Sequence, residues 1–402
     1  MVKLFNSMSN TIEEFKPIRD GKVSLYVCGP TVYSYPHIGN YRPVITFDIL
    51  VRLFRKLGYE VTYISNITDI DDKIIKQAIK ENVSEKEIAS KYEKSFFDVQ
   101  EKLNCIRPTH TPHATTTIPH MVKFIQELIN KGYAYEVDGD VFFRVKKIKD
   151  YGILNHFNVD DLQVGARIEE NAKKEDPNDF ALWKNTNEGI KFDAPFGLGR
   201  PGWHTECVCM IQDYYEDARI DIHGGGFDLK FPHHENEIAQ ANAMFGHHIA
   251  NYWMHNGFIN LGDEKMSKSL GNVILCKDLV EKYGGNVVRM VMLEGHYRAP
   301  LNFNEDAINA SSINLNKIMS SLKNASIQLQ LSNTISTSIN KDKVNEFLDA
   351  LSNDLNTANA LTCVYSLVKE LNTYIRSKDY SNLSTAFNTL LEVIDVLGLK
   401  YE

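Results

Sequence analysis

The chain has 402 residues, a formal charge of −8 and 43% hydrophobic residues. That length supports about two to three domains, and this much apolar material excludes a mainly disordered chain. No run of about 18 apolar residues and no apolar signal core occur, so cytoplasmic residence without a membrane partner is expected; the acidic balance excludes general polyanion binding but allows a local basic surface for one specific nucleic acid.

"KVSLYVCG", residues 22 to 29, alternates Val23, Leu25 and Val27 and stops at Gly29-Pro30, which predicts a strand. "GNYRPVITFDILVRLFRKLG" follows at helical spacing through Val44, Phe47, Val51, Phe54 and Leu57. Pro43 suits its first turn and Gly58 the residue past its end. "YEVTYISNIT", 59 to 68, reads as the next strand, and "DIDDKIIKQAIK" opens a helix with aspartates at its positive end. "GYAYEVDGDVFFRV" predicts a hairpin around Asp138-Gly139. "ARIDIHGGGFD", 218 to 228, gives a third strand ending at His223 before a glycine loop, and "HHENEIAQANAMF" the helix after it. "NYWMHNGFINL" reads as a further strand.

Strand, helix, strand, helix is the pattern of a parallel nucleotide-binding sheet. The expected fold is α/β, a Rossmann-like catalytic domain with an inserted connective domain, followed by an all-α helical bundle. The expected division is 1–110 and 196–260 for the two halves of the catalytic domain and 111–195 for the insertion. Residues 261–304 form a loop and stem-contact region. From 305 to 402 Ser, Asn and Leu dominate, glycine is scarce, and "VNEFLDALSNDL", "ALTCVYSLVKELNTYI" and "LSTAFNTLLEVIDVLG" have bundle-like periodicity.

Ligands of such sheets bind beyond the carboxyl ends of the strands. Cys28, Thr68-Asp69 and His223 stand at three such ends. "FPHHENEIAQ" adds two histidines and two glutamates within five positions. On a helix His233 and Glu237 share a face, as do His234 and Glu237 three apart, while Glu235 points elsewhere. Two such ligands with two thiolates make a tetrahedral zinc site. Cys28 is one thiolate, and Cys207 or Cys209 of "GWHTECVCM" is the other. A histidine pair alone is more often a surface or core feature. The shared sheet edge is what raises the metal reading above that one.

Two further stretches point to phosphate. "HIGN", 37 to 40, sits where a helix start favours negative charge. "KMSKS", 265 to 269, sets two lysines around a small serine in a loop. Either alone is no more than a solvated turn.

Together, "YVCGPTVYSYPHIGNYR", "YISNITDIDDKII", "GRPGWHTEC", "DIHGGGFDLKFPHHENEIAQ" and "EKMSKSLGN" resemble the class I aminoacyl-tRNA synthetases, and within them the cysteinyl-tRNA synthetase family. The motifs follow the family's order and cover about the whole chain. The resemblance implies ATP-dependent activation of L-cysteine to cysteinyl-adenylate and its transfer to tRNA-Cys. It implies one zinc ion on Cys28, Cys207, His233 and Glu237, with magnesium accompanying ATP. Zinc solves a discrimination problem, because a pocket sensing only size separates cysteine from serine by roughly 1–3 kcal/mol, whereas soft thiolate ligates zinc far better than a hydroxyl. No editing domain is expected.

By the same resemblance, His37 stabilises the transferring phosphate, Lys265 and Lys268 neutralise pyrophosphate, and Gly39, Asn40 and Lys268 contact ATP. Trp203 walls the amino-acid pocket, with Thr68 and Asp228 as contacts to cysteine. The family commonly has "HIGH", and Asn40 replaces its second histidine with a donor that carries no charge. Family members continue with a small anticodon-reading module. This chain ends at "VLGLKYE", so that module is expected to be absent. A monomer is expected. Three alternatives share some of the features. A cysteine ligase on the same scaffold would pass cysteine to an amino-sugar amine, a zinc hydrolase would use Glu235 or Glu237 as base, and a non-catalytic RNA-binding relative would lack ATP binding.

Overall fold

The structure, a computed structural model, describes residues 1–157, 172–261, 264–265 and 273–401. β1 (Lys3–Asn6) and β2 (Thr11–Glu14) form a terminal hairpin. β3 (Lys22–Val27), α1 (Ile38–Lys56), β4 (Glu60–Ser65), α2 (Asp72–Glu81), α3 (Glu85–Lys102) and α4 (Ala114–Asn130) follow. β5 (Ala134–Val137), β6 (Asp140–Phe143), β7 (Phe180–Asn185) and β8 (Gly199–Pro201) make an antiparallel sheet of their own. The chain then returns through α5 (Glu206–Tyr214), β9 (Ile220–Gly226), α6 (Glu235–Phe245) and β10 (Ala250–Asn256). β11 (Ile259–Leu261), β12 (Glu264–Lys265), α7 (Cys276–Tyr283), α8 (Gly285–Glu294) and β13 (Leu301–Asn302) lead to the helical region. It comprises α9 (Glu305–Leu331), α10 (Lys341–Leu351), α11 (Thr357–Ser377) and α12 (Tyr380–Val396).

The central sheet runs β10-β9-β3-β4, all parallel. β3 was expected to alternate, yet Val23 to Val27 are all buried. Helices cover both faces of a parallel sheet, so its inner strands lose their exposed side. Ser24 is buried with them because its hydroxyl donates to Asp221 Oδ2 at 2.6 Å. The strand order puts the ends of β3, β4, β9 and β10 on one edge, where Gly29 and Asn66 nearly touch. A Cβ on Gly29 would lie 1.5 Å from the Asn66 carbonyl oxygen, so only glycine allows that approach.

α1 begins at Ile38, earlier than its apolar spacing suggests, which puts Pro43 in the second turn, where one internal hydrogen bond is forgone. In α2 the Asp71 side chain accepts the Lys73 N–H at 2.8 Å. Each helix of the helical region also starts on a side-chain cap, at Asn304, Asn340, Asn356 and Asp379. Among the described residues no helix is long and apolar enough to cross a membrane.

One core runs from the parallel sheet through α1 into the helical region, and a second joins the antiparallel sheet to α4, α5 and α6. The first contains a buried ion pair, Asp48 of α1 with Arg289 of α8, their side chains 1% and 0% exposed. Arg289 also donates to the carbonyls of Leu397 (2.6 Å) and Leu103 (3.1 Å). Arg52 shares Asp48 at 3.0 Å and donates to the Asp395 carbonyl. Removing one partner strands a buried charge. Asp48→Ala is therefore expected to lower the unfolding free energy by about 3–5 kcal/mol, read as a lower urea midpoint with an unchanged slope.

Candidate active site

The strand ends open onto a cavity of about 430 Å³. Cys28, His37, Gly39, Asn40, Trp203 and Asp228 all line it, together with Asn256–Ile259 beyond β10. Six of the residues expected from the sequence are thus brought to one space.

Cys28 follows β3, and Cys207 is the second residue of α5, whose start lies against the same edge. Cys209 faces the other way and is fully buried, because residues two apart on a helix point to opposite sides. α6 was expected to begin at His233. It begins at Glu235, after an irregular turn over Lys230–His234 that contains Pro232. His233 still stands one turn from Glu237, with Nε2 3.0 Å from Oε1.

Tetrahedral bonds of about 2.0–2.3 Å put donor atoms roughly 3.3–3.8 Å apart. Here Cys28 Sγ lies 3.8 Å from Cys207 Sγ and 3.9 Å from Glu237 Oε1. Cys207 Sγ lies 3.5 Å from His233 Nε2. The donor set fits zinc in both spacing and softness. A second quartet, Cys28, His223, His234 and Glu237, also converges. It offers one thiol in place of two, and its imidazoles are already engaged as orienting groups. His223 Nε2 meets Glu237 Oε2 at 2.7 Å, and His234 Nε2 meets Cys28 Sγ at 3.3 Å.

The electrostatics suit a cation. Burial would raise the Glu237 carboxyl, but His223 and His233 outweigh it and hold the group at about 2. Burial also opposes ionisation of Cys207, yet the hydrogen bonds from Cys28 and His233 bring it to about 6. His233 is lifted to about 10 against its burial by Glu237 and Cys207. A metal entering this set must therefore displace protons.

The surrounding groups escaped the sequence reading. His234 Nδ1 meets His255 Nε2 at 2.8 Å, and His255 Nδ1 meets the Ser7 hydroxyl at 2.8 Å. His204 Nδ1 meets His233 Nδ1 at 2.9 Å. Only the doubled histidine at 233–234 signalled any of this. His204, His255 and Ser7 are isolated polar residues with no spacing to betray them. Trp203 stacks on the His233 ring, centroids 4.0 Å apart. Thr68 does not line the cavity. It is buried, and its hydroxyl donates to Glu206 Oε2 at 2.6 Å. Asp228 is exposed at the cavity wall.

At the helix-start end of the cavity, His37 caps α1 and its backbone N–H donates to Asn40 Oδ1 at 2.9 Å. The backbone of Lys265 lies in β12, paired with Asn260. Lys268 lies outside the described residues. Beyond that stretch, Ile274 accepts the Ile38 N–H at 2.9 Å, and Cys276 N–H donates to the Pro36 carbonyl. Both flanks of the lysine loop are thus anchored beside the cavity.

Residues 14–313 match the family described as "tRNA synthetases class I (C) catalytic domain", and residues 346–402 match the DALR domain. The leucyl-tRNA synthetase of Agrobacterium radiobacter K84, in its ternary complex, shares the fold at a TM-score of 0.71 and 11% identity, over 96% of this chain and 85% of that one. Fold and site together define a class I aminoacyl-tRNA synthetase. Two relatives are named cysteine--tRNA ligase. That of Acholeplasma laidlawii is 48% identical, over 99% of this chain and 90% of its own length. That of Caldicellulosiruptor saccharolyticus is 46% identical, over 99% and 87%. The chain belongs to the cysteinyl-tRNA synthetase family.

Burial pulls the His255 imidazole down to about 3, and His234 and His204 well below the usual histidine range. Groups depressed on folding contribute stability that is present above about pH 6.5 and is lost as pH falls toward the folded value. For His255 this should cost about 1 kcal/mol of stability between pH 7 and 5.5, and His234 and His204 act in the same direction. Urea midpoints of the zinc-loaded protein should fall over that range, and His255→Gln should flatten the fall.

Proposed function

We propose that the protein is an enzyme that activates L-cysteine with ATP and transfers it to tRNA-Cys, acting as a cytoplasmic monomer. One observation carries this reading. A donor set of two thiols, an imidazole and a carboxylate reaches, through Cys28, the same cavity as a helix start at His37–Asn40. The first suits a thiol-bearing amino acid and the second a phosphate. Family membership and the names of the relatives support the substrate pair.

In the first step the cysteine carboxylate attacks the α-phosphate of ATP, and pyrophosphate leaves. The groups are charged, so the protein contributes mainly position and electrostatic stabilisation. His37 would stabilise the transferring phosphate. Gly39 leaves room for the adenine. Asn40 accepts the His37 backbone N–H through its carbonyl, and its NH2 group would be the neutral donor left for ATP. Lys265 and Lys268 would neutralise pyrophosphate, with Mg2+ accompanying ATP. Asp228 would receive the amino group and Trp203 would wall the pocket. Thr68 would act through Glu206, whose carboxyl burial raises well above the usual range. A zinc ion on Cys28, Cys207, His233 and Glu237 would supply affinity for thiolate over hydroxyl. In the second step the 2′-hydroxyl of the terminal ribose attacks the carbonyl, and AMP leaves.

An amino-sugar acceptor is not favoured, since the matched relatives are named for tRNA and the DALR match covers the last helices. A hydrolytic base is also disfavoured. Glu235 accepts from Gly152 N–H (2.9 Å) and Asn155 N–H (3.1 Å), and Glu237 is held by His223 and His233.

Transfer of radiolabelled cysteine to a tRNA pool, with serine as control, tests the reading. Cysteine alone should be charged. Equal charging of serine would refute the thiolate basis of selection. Cysteine-dependent ATP–pyrophosphate exchange without charging would move the assignment to the amino-sugar ligase.

His37→Ala should lower adenylate formation by roughly 10²–10³-fold with zinc content unchanged. Near wild-type activity would remove His37 from the chemistry. Cys207→Ser should lower the zinc content of purified protein, and full zinc retention would take Cys207 out of the donor set.

A further inference from the structure

Arg42 stands out among the buried charges. It lies in α1, five residues past His37, and is 2% exposed. No carboxylate pairs with it among the described residues. Its guanidinium donates to three backbone carbonyls instead, those of Phe258 (2.6 Å), Ala299 (2.6 Å) and His296 (3.1 Å). Burying a cation without an anion is unfavourable, and desolvation draws its pKa down to about 10, still high enough to keep the charge. A leucine or methionine would fill the same space without that penalty. What Arg supplies is a planar fork with donors in fixed directions. Here the fork grips two separate segments, 257–258 and 296–299.

Those segments meet closely. Gly257 N–H donates to the Tyr297 carbonyl at 2.8 Å, and Leu301 N–H to the Phe258 carbonyl at 2.9 Å. A Cβ on Gly257 would come within 2.5 Å of the Ala299 carbonyl oxygen. The first segment is also a wall of the cavity, through Asn256, Gly257, Phe258 and Ile259. Across from it are His37, Gly39 and Asn40, at the start of the helix that carries Arg42. One side chain therefore fixes the distance between two walls of the cavity. Neither Cys207, His233 nor Glu237 touches this clamp.

We propose that Arg42 is a positioning residue for the nucleotide, setting the wall at Asn256–Ile259 against the phosphate-facing start of α1 without touching ATP. This rests on the reading of the cavity as an ATP site. It separates two halves of one active site, since Arg42 governs the nucleotide end and leaves the thiol end alone.

The test uses the zinc-loaded, full chain. Arg42→Lys keeps the charge but loses the fork. It should raise the KM for ATP about 10- to 100-fold in cysteine-dependent pyrophosphate exchange and weaken binding of a non-hydrolysable ATP analogue by a similar factor. The KM for cysteine and the zinc content should stay at wild-type values. Gly257→Ala forces the same segments apart from the other side and should give the same signature. Free guanidinium at millimolar concentration should restore part of the ATP affinity lost in Arg42→Ala. An unchanged ATP KM in Arg42→Lys overturns the proposal. So do equal losses for ATP and cysteine, which mark a general structural role. Failure of the wild-type protein to bind the analogue would overturn the nucleotide reading itself, and this role with it.

Discussion

A single buried carboxylate disciplines the active site. Glu237 has no exposure to water, and such a group is tolerated only when partners hold it. His223 comes from the middle of β9, which runs on to Gly226 rather than ending at His223 as expected, His233 from the turn before α6, and Cys28 from the end of β3. Cys207 joins through His233 from the start of α5. The end of β3 must therefore meet three elements from the stretch 206–237 at one height on the sheet. Two thiols and an acid at such separations repel one another once ionised, so the grouping makes physical sense chiefly as the shell of a cation.

Much of this was legible because it depended on local rules. Apolar runs ended at Gly29-Pro30 and at the glycines after His223, and parallel strands end where ligands bind. The His233–Glu237 spacing survived even though the helix starts two residues later than expected, since the turn after Pro232 keeps the two residues one turn apart. The choice between Cys207 and Cys209 was open from spacing alone; both are buried, and it is Cys207 whose sulfur lies with the converging donors. Illegible parts depend on tertiary packing. Ser7, His204 and His255 are single polar residues whose partners lie up to 248 positions away. The β1–β2 hairpin has strands of four residues, too short for periodicity to declare itself.

α1 has two occupations that its sequence pattern conflates. Its first turn presents His37, Gly39 and Asn40 to the cavity, while its middle and end, through Asp48 and Arg52, bind the buried pair with Arg289 and the chain around 395–397. A helix is stiff over this length, so the cavity-facing end inherits its placement from contacts made near the far end of the sequence.

That inheritance has a consequence in time. Arg52 and the Asp395 carbonyl it binds are separated by 343 positions. At about 5–20 residues per second, a ribosome takes roughly 17–70 s to traverse that stretch. The sheet and its thiols can assemble well before this, but α1 lacks its anchor until residues 395–397 emerge. The donor set and its sheet are complete only once β10, ending at Asn256, has emerged, so for about the last third of synthesis the nascent chain holds the clustered thiols beside a loosely seated helix.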